Sequence, residues 1–153
     1  MNIEVRSMHA SDLGGVMENE NAAYPIPWSR GVFEDCLAGN NVCLVCCVGQ
    51  DVVGHAVVSF ILDEFHLLNI CIAPSYAGKG LGRQFLRYLI ELAISRNMQM
   101  FFLEVRASNH IAIALYESEG FNEVGVRPNY YPAQSGREDA VLMTLQLCFD
   151  GMS

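Results

Sequence analysis

Lysine is almost missing from this 153-residue chain: Lys79 is the only one, and nine Lys plus Arg face seventeen Asp plus Glu for a net charge of −8. Affinity for a phosphate backbone is driven by counterion release and needs cationic surface, so direct nucleic-acid binding is not expected. A cationic acceptor such as a basic peptide suits an acidic surface better. Long apolar runs are missing too. The longest covers residues 42–48, far short of the roughly 20 residues of a membrane-spanning helix. The start, MNIEVRSMHA, has no basic stretch followed by an apolar one. Neither a membrane span nor a signal peptide is expected, and the expected location is the cytoplasm. Proline is scarce, at five, and the thirteen glycines follow no fixed period, which excludes a fibrous chain.

What is present is apolar bulk. Hydrophobic residues make up 52% and charged ones 17%, which excludes a disordered chain. The length suits one domain, expected over residues 1–147 with 148–153 as a flexible tail. A chain of this size buries about two thirds of its surface and needs no disulfide or metal for stability. A monomer or weak dimer is expected.

Six cysteines include the run Cys43, Cys46 and Cys47 in NVCLVCCVG. On a buried strand Cys43 and Cys47 would point one way and Cys46 the other. No second ligand pair follows at zinc-site spacing, and the four histidines are scattered. No metal is expected, and the thiols read as small core residues.

Hydrophobic periodicity and turn residues predict a strand at 3–8, a helix from Ser11-Asp12 to about Ala23, and a proline-broken loop, YPIPW. Ser29 can N-cap a short helix to about Leu37. Strands follow at 42–48, 52–62 and 65–73, then a Gly-rich loop at 74–80 and an amphipathic helix at 81–96. A strand at 100–106 precedes a helix at 110–119, capped by Asn109 and stopped by Gly120. The remainder reads as a strand at 121–127, a long polar loop to Gly136 and a last strand at 138–147. Antiparallel strands followed by a strand–helix–strand crossover make a mixed α/β sheet with helices on its faces.

Gly78, Gly80 and Gly82 sit between a strand and a helix, with Lys79, Arg83 and Arg87 beside them. Glycines let a backbone turn tightly and approach a ligand, and a helix N-terminus offers free N–H groups to an anion. A phosphate ligand is the expectation. The P-loop pattern is absent, because no Lys-Ser/Thr pair follows. The dinucleotide pattern fails at Arg83, and three antiparallel strands before the loop do not suit a doubly wound sheet.

The run Ile70-Cys71-Ile72-Ala73-Pro74-Ser75-Tyr76-Ala77-Gly78-Lys79-Gly80-Leu81-Gly82-Arg83 resembles the acetyl-CoA motif of the GCN5-related N-acetyltransferase (GNAT) superfamily. It departs at Ala77, where that motif usually carries Gln or Arg. PWS at Pro27, LDE at Leu62, GLGR at Gly80, LEVRASN at Leu103, IALYESEGF at Ile113, NYYP at Asn129 and GREDA at Gly136 resemble, in order, the bacterial ribosomal-protein-alanine N-acetyltransferase (RimI) family. The resemblance implies a mostly antiparallel central sheet of about seven strands with helices on both faces. It also implies acetyl transfer from acetyl-CoA to the α-amine of the N-terminal alanine of ribosomal small-subunit protein eighteen.

By the same resemblance Glu104, a charged residue inside the apolar strand MFFLEV, is the general base, and Tyr116 is the general acid. A structural alternative pairs Glu104 with Arg106 on its own side of the strand. The implied cofactor contacts are Ile70, Cys71, Ile72, Gly78, Lys79, Gly80, Leu81, Gly82, Arg83 and Asn109, the last also a plain helix cap. The acceptor groove is expected from Trp28, Asn129, Tyr130 and Tyr131, with Asp63 and Glu64 among the acids that could read a basic side chain. Glu20, Asp35, Glu138 and Asp139 are the other acidic candidates. A rival route through an acetylated Cys71 lacks a histidine close in sequence. Acetylation of another amine (a different N-terminus, a lysine, a polyamine or a drug) and a non-catalytic acyl-CoA sensor are the alternative functions.

Overall fold

A computed structural model describes residues 1–147; Cys148 and the expected tail at 148–153 lie outside the described residues. The order is β1 (Glu4–Ser7), α1 (Leu13–Ala23), α2 (Arg30–Ala38), β2 (Val42–Val48), β3 (Asp51–Ile61), β4 (Glu64–Ile72), α3 (Leu81–Ser95), β5 (Met100–Arg106), α4 (His110–Ser118), β6 (Asn122–Ala133) and β7 (Gly136–Gln146). Single 3-10 turns stand at Ala10–Asp12 and Pro74–Tyr76. One seven-stranded sheet runs β1-β2-β3-β4-β5-β7-β6. β4 and β5 are parallel, whereas β1–β2, β2–β3, β5–β7 and β6–β7 are antiparallel. The mixed, mostly antiparallel sheet matches the expectation. Contacts divide the chain into two compact units: Met1–Ser59 with Leu68–Leu89, and Phe60–Leu67 with the chain from Ile90 onward.

In the first unit, Arg6 donates to both carboxylate oxygens of Asp12 at 2.8 and 2.9 Å, and Asp12 accepts from the His9 backbone N–H. That knot closes a 3-10 turn where a full helix start was expected, and α1 begins at Leu13. Leu13, Val16 and Glu20 form the buried face of α1. Ser29 caps α2 as expected, its Oγ accepting from the Val32 N–H. A core of Leu13, Val16, Phe33, Cys43, Val45 and Val57 closes over these elements. Each large apolar side chain buried there contributes roughly 1.5–3 kcal/mol. Cys43 and Cys47 share that core, and burial pushes the Cys43 and Cys46 thiols up to about 11 and about 12, as inert packing residues require.

In the second unit an aromatic chain forms the core. Phe60, Phe65, Phe101 and Phe121 follow one another at centroid spacings of 5.2, 4.6 and 5.1 Å, and Tyr116 joins at 5.7 Å from Phe121. Here the sequence expectation needs a correction. The segment after Arg127 is not a polar loop but the second half of β6, which continues to Ala133. Tyr131, Pro132 and Ala133 pair with Glu138, Arg137 and Gly136 of β7, after a bulge between Arg127 and Tyr131. β6 is the last strand of the sheet, and an edge strand tolerates the prolines that made this stretch read as a loop.

Candidate active site

The Gly-rich loop lies in the first unit. β4 ends at Ile72, a 3-10 turn follows, and Gly78 and Gly80 take φ of 76° and 77° before α3 begins at Leu81. Both glycines occupy the left-handed region that a side chain resists, and a Cβ on either would meet nothing within 4 Å. The positions therefore need glycine for backbone shape and leave open space above the loop. That space and the amides at the start of a 15-residue helix fit a phosphate-bearing ligand. Lys79 is exposed and Arg83 half-buried. Upstream, β3 approaches β4 so closely that a Cβ on Gly54 would fall 2.5 Å from the Cys71 carbonyl oxygen.

The second unit holds Glu104 in a lattice of charged and aromatic side chains. Glu104 stands on β5 opposite Leu142 of β7, 30% exposed. Arg127 Nη2 lies 3.2 Å from its Oε2, off the line of a hydrogen bond, so the contact is Coulombic, and this oxygen is buried without a hydrogen-bond donor. Arg106 is not the partner of Glu104. It binds Glu138 Oε1 at 3.0 Å, donates to the Pro132 carbonyl at 2.8 Å and lies over the Tyr131 ring at 4.6 Å. Arg127 lies over Tyr130 at 4.7 Å, and the two tyrosine rings meet edge-on at 4.9 Å.

The bulge that presents the tyrosines is braced from β7. Asn129, at φ 51°, donates its N–H to Asp139 Oδ1 at 3.0 Å. Arg137 donates to the carbonyls of Asn129 and Tyr130 at 3.1 and 2.8 Å. Glu138 also accepts the Ser108 N–H, so three consecutive residues of GREDA bind LEVRASN and NYYP into one structure. Burial, with Glu104 next, pushes the Tyr131 phenol up to about 12. Burial likewise lifts Tyr116 to about 12, with Tyr131 adding to it, so both phenols remain donors at neutral pH.

Comparison with known proteins decides what this arrangement belongs to. The family model described as Acetyltransferase (GNAT) family matches residues 13–121. The [ribosomal protein bS18]-alanine N-acetyltransferase of Escherichia coli K12 is 39% identical over 143 residues, 94% of this chain and 97% of that protein. The chain belongs to the GNAT acetyltransferases, in their ribosomal-protein-alanine (RimI) branch. Its counterpart in Haemophilus influenzae is also 39% identical, over 144 residues that cover 98% of that protein. The crystal structure of the E. coli ribosomal-protein-S18-alanine N-acetyltransferase superimposes with a TM-score of 0.90 at 36% identity, covering 99% of each chain. A ribosomal-protein-alanine N-acetyltransferase from Brucella melitensis shares the fold at a TM-score of 0.80 and 23% identity.

The structure of this acetyltransferase separates residues the sequence could not. Tyr116 lies in the second unit with Glu104, and Asn109 Oδ1 accepts from the Ala112 N–H as the cap of α4. Glu64 lies opposite Met100, four residues before Glu104 and about 13 Å along the strand at 3.3 Å per residue. Its carboxylate contacts His66 at 2.9 Å, and Asp63 is exposed in the same turn; neither is brought beside Glu104. Glu138 and Asp139 are already engaged, and Glu20 is 1% exposed, which leaves Asp35 and Asp63 as the exposed members of the acidic set. Trp28 is half-buried, its ring 5.3 Å from Phe33.

One cluster went unnoticed in the sequence. Glu20, His55 and Cys71 bring their polar atoms within 4.8 Å of one another in the first unit, all buried. Glu20 Oε1 and His55 Nε2 are 2.8 Å apart, a hydrogen bond. Two ligands of a tetrahedral ion with bonds near 2.0–2.1 Å would stand about 3.3 Å apart, so the spacing is that of a bond between the side chains. The histidine near Cys71 does not make it a nucleophile. Burial, then Glu20, pushes this thiol up to about 12, and its Sγ donates to the Asn19 carbonyl at 3.6 Å. The only sequence signals were a charged residue on the apolar face of α1 and a histidine inside an apolar strand.

Proposed function

We propose that this acetyltransferase carries the acetyl group of acetyl-CoA to the α-amine of the N-terminal alanine of ribosomal protein bS18. The observation that carries the reading is 39% identity along 97% of the E. coli enzyme that bears this name. A ribosomal protein as substrate supports a cytoplasmic location, and among the described residues no helix is long and apolar enough to cross a membrane. We read the two units as one acetyltransferase domain, because the family match runs through both.

The chemistry is attack of a free amine on a thioester carbonyl, giving an amide and the CoA thiol. An α-amine has a pKa of about 7.7–8.0, so at neutral pH most of it is protonated and inert. Glu104 takes that proton, directly or through one water, at Oε1, because Oε2 is buried against Arg127. Tyr116, held protonated by burial, gives a proton to the departing sulfur. Backbone groups of Ile70, Cys71 and Ile72 hold the pantetheine arm, and an N–H there faces the developing oxyanion. The amides from Gly78 through Arg83 take the pyrophosphate, with Lys79 adding charge. Ala77 removes one side chain from that cradle, but the backbone donors on which it rests are unaffected. Trp28, Tyr130 and Tyr131 wall the acceptor, with Asn129 supplying polar contacts.

Acetylation of another amine is not favoured by the 39% identity to an enzyme named for bS18, and acyl-CoA sensing without turnover is not favoured because Glu104 and Tyr116 are both present. CoA release is measured with acetyl-CoA and a short peptide starting Ala-Arg, beside the same peptide with a blocked N-terminus. Release from the free peptide alone is expected. Release from neither, with acetyl-CoA bound, would move the assignment to another acceptor or to a sensor.

A further inference from the structure

Three consecutive residues of β4, immediately before the Gly-rich loop, are each held by the last turns of α1. Asn69 Nδ2 donates to both Glu20 oxygens, at 3.4 and 3.3 Å. The Tyr24 hydroxyl donates to the Ile70 carbonyl. Cys71 Sγ reaches the Asn19 carbonyl. Asn19 in turn donates its Nδ2 to the Val52 carbonyl on β3 at 3.0 Å. The centre of this knot is the Glu20 carboxylate, 1% exposed, which also accepts the backbone N–H of Trp28 at 3.0 Å and contacts His55 Nε2 of β3. One buried group therefore joins the 24–29 loop to the strand that leads into the cradle.

A buried carboxylate is expensive unless every lone pair is used, so apolar packing would be the cheaper way to fill this space. Burial of the charge is explained if these donors must sit in one arrangement. We infer that Glu20 is a positioning residue for acetyl transfer, fixing the loop that carries Trp28 against the β4 segment Asn69 to Cys71. The inference rests on the proposed reading, in which that loop walls the acceptor and that strand holds the thioester. Glu20 touches neither substrate; it acts through Trp28 and Asn69. The knot also has a built-in spare. Asn69 Oδ1 is buried without a partner, and so is His55 Nδ1. A glutamine at position 20 can keep its oxygen on the Trp28 N–H, offer its amide to Asn69 Oδ1 after a flip of that side chain, and let His55 Nε2 accept.

The test compares Glu20→Ala, Glu20→Gln and Tyr24→Phe with the wild type. Glu20→Ala should raise KM for the Ala-Arg peptide about fivefold, the factor carried by one lost hydrogen bond of ordinary net strength. Acetyl-CoA affinity should fall by less than peptide affinity, since the amides from Gly78 through Arg83 are untouched and only the β4 strand is loosened. Hydrogen exchange at the Trp28 N–H should speed up in the same variant. Glu20→Gln should restore both readings, and Tyr24→Phe should shift KM in the same direction by less. An unchanged peptide KM in a folded Glu20→Ala, with only its melting temperature lowered, overturns the inference. A Glu20→Gln variant as impaired as Glu20→Ala does the same. If Glu20→Ala does not fold, Tyr24→Phe decides: an unchanged KM overturns the inference. If the wild type turns over no Ala-starting peptide, the proposed acceptor is wrong, and faster Trp28 exchange in Glu20→Ala that Glu20→Gln restores still supports the clamp. Unprotected Trp28 in the wild type overturns it.

Discussion

Two polar clusters, one in each unit, solve opposite problems. The Glu20 knot is sealed: Glu20 and His55 are 1% and 0% exposed, and the carboxylate is satisfied by hydrogen bonds from a loop and two strands. The Glu104 lattice is half open: Arg127 is 52% exposed, Glu104 30%, and their contact is charge without a hydrogen bond. In the sealed cluster every donor has a fixed place, which suits holding backbone segments. In the open one the carboxylate is partly exposed and its buried Oε2 is held by charge alone, which suits moving a proton. A dry network gains strength from its low-dielectric surroundings, whereas exposed ion pairs contribute only about 0–1 kcal/mol and weaken with salt.

The comparison breaks most sharply at Glu104. Glu104→Gln should lower kcat by about 10²–10⁴, the usual contribution of a positioned general base, with acetyl-CoA affinity unchanged. Above about pH 8 the acceptor amine is already deprotonated, and the deficit should shrink. A neutral-pH rate equal to wild type would make Glu104 one more member of an ion-pair lattice. Tyr116→Phe comes next. Loss of the proton donor should slow transfer by about tenfold or more, with the fold intact because the ring still packs on Phe121. An unchanged single-turnover rate would reduce Tyr116 to a packing residue.

The open lattice was far more legible in the sequence than the sealed knot, for a physical reason. LEVRASN, NYYP and GREDA are contiguous runs, and their residues bind one another across neighbouring strands, so the motif and the structure coincide. Which acid pairs with which base was not readable: Arg106 shares a strand face with Glu104 yet turns to Glu138, because β7 brings that carboxylate within 3.0 Å. The knot draws on residues 20, 28, 55 and 69, single letters in three elements and a loop, and only the fold joins them. Among the described residues, the seven strands and four helices followed from period and turn residues. The extension of β6 did not, because two prolines and a polar bulge hide an edge strand.

A smaller effect sharpens the contrast within the open cluster. Asp139 holds the bulge by one hydrogen bond to the Asn129 N–H. Asp139→Ala should cost about 1 kcal/mol, the net worth of such a bond at a partly solvated site. It should also raise peptide KM more than it lowers stability, since the bulge presents Tyr130 and Tyr131. A stability loss with no change in KM would show that the tyrosines keep their place without this brace.

The smallest effect is a pH dependence, and its sign follows from Glu138. Hydrogen bonds from Ser108, and then from Arg106, hold this carboxyl below its ordinary value of 4.5. The folded state therefore binds the proton less readily than the unfolded chain. The contribution is full above the unfolded value and is lost as pH falls through the folded one. Asp12 in the first unit behaves likewise, lowered to about 2 by Arg6, but it clamps a helix start rather than the strands that carry Glu104. Hydrogen exchange at the Ser108 N–H should therefore accelerate as pH drops below about 4.5, after correction for intrinsic rates, and Glu138→Gln should abolish that dependence. Protection at Ser108 that stays flat from neutral pH to pH 3 would mean that β5 and β7 hold the lattice together without the charge on Glu138, and that its ion pair with Arg106 follows the fold instead of fixing it.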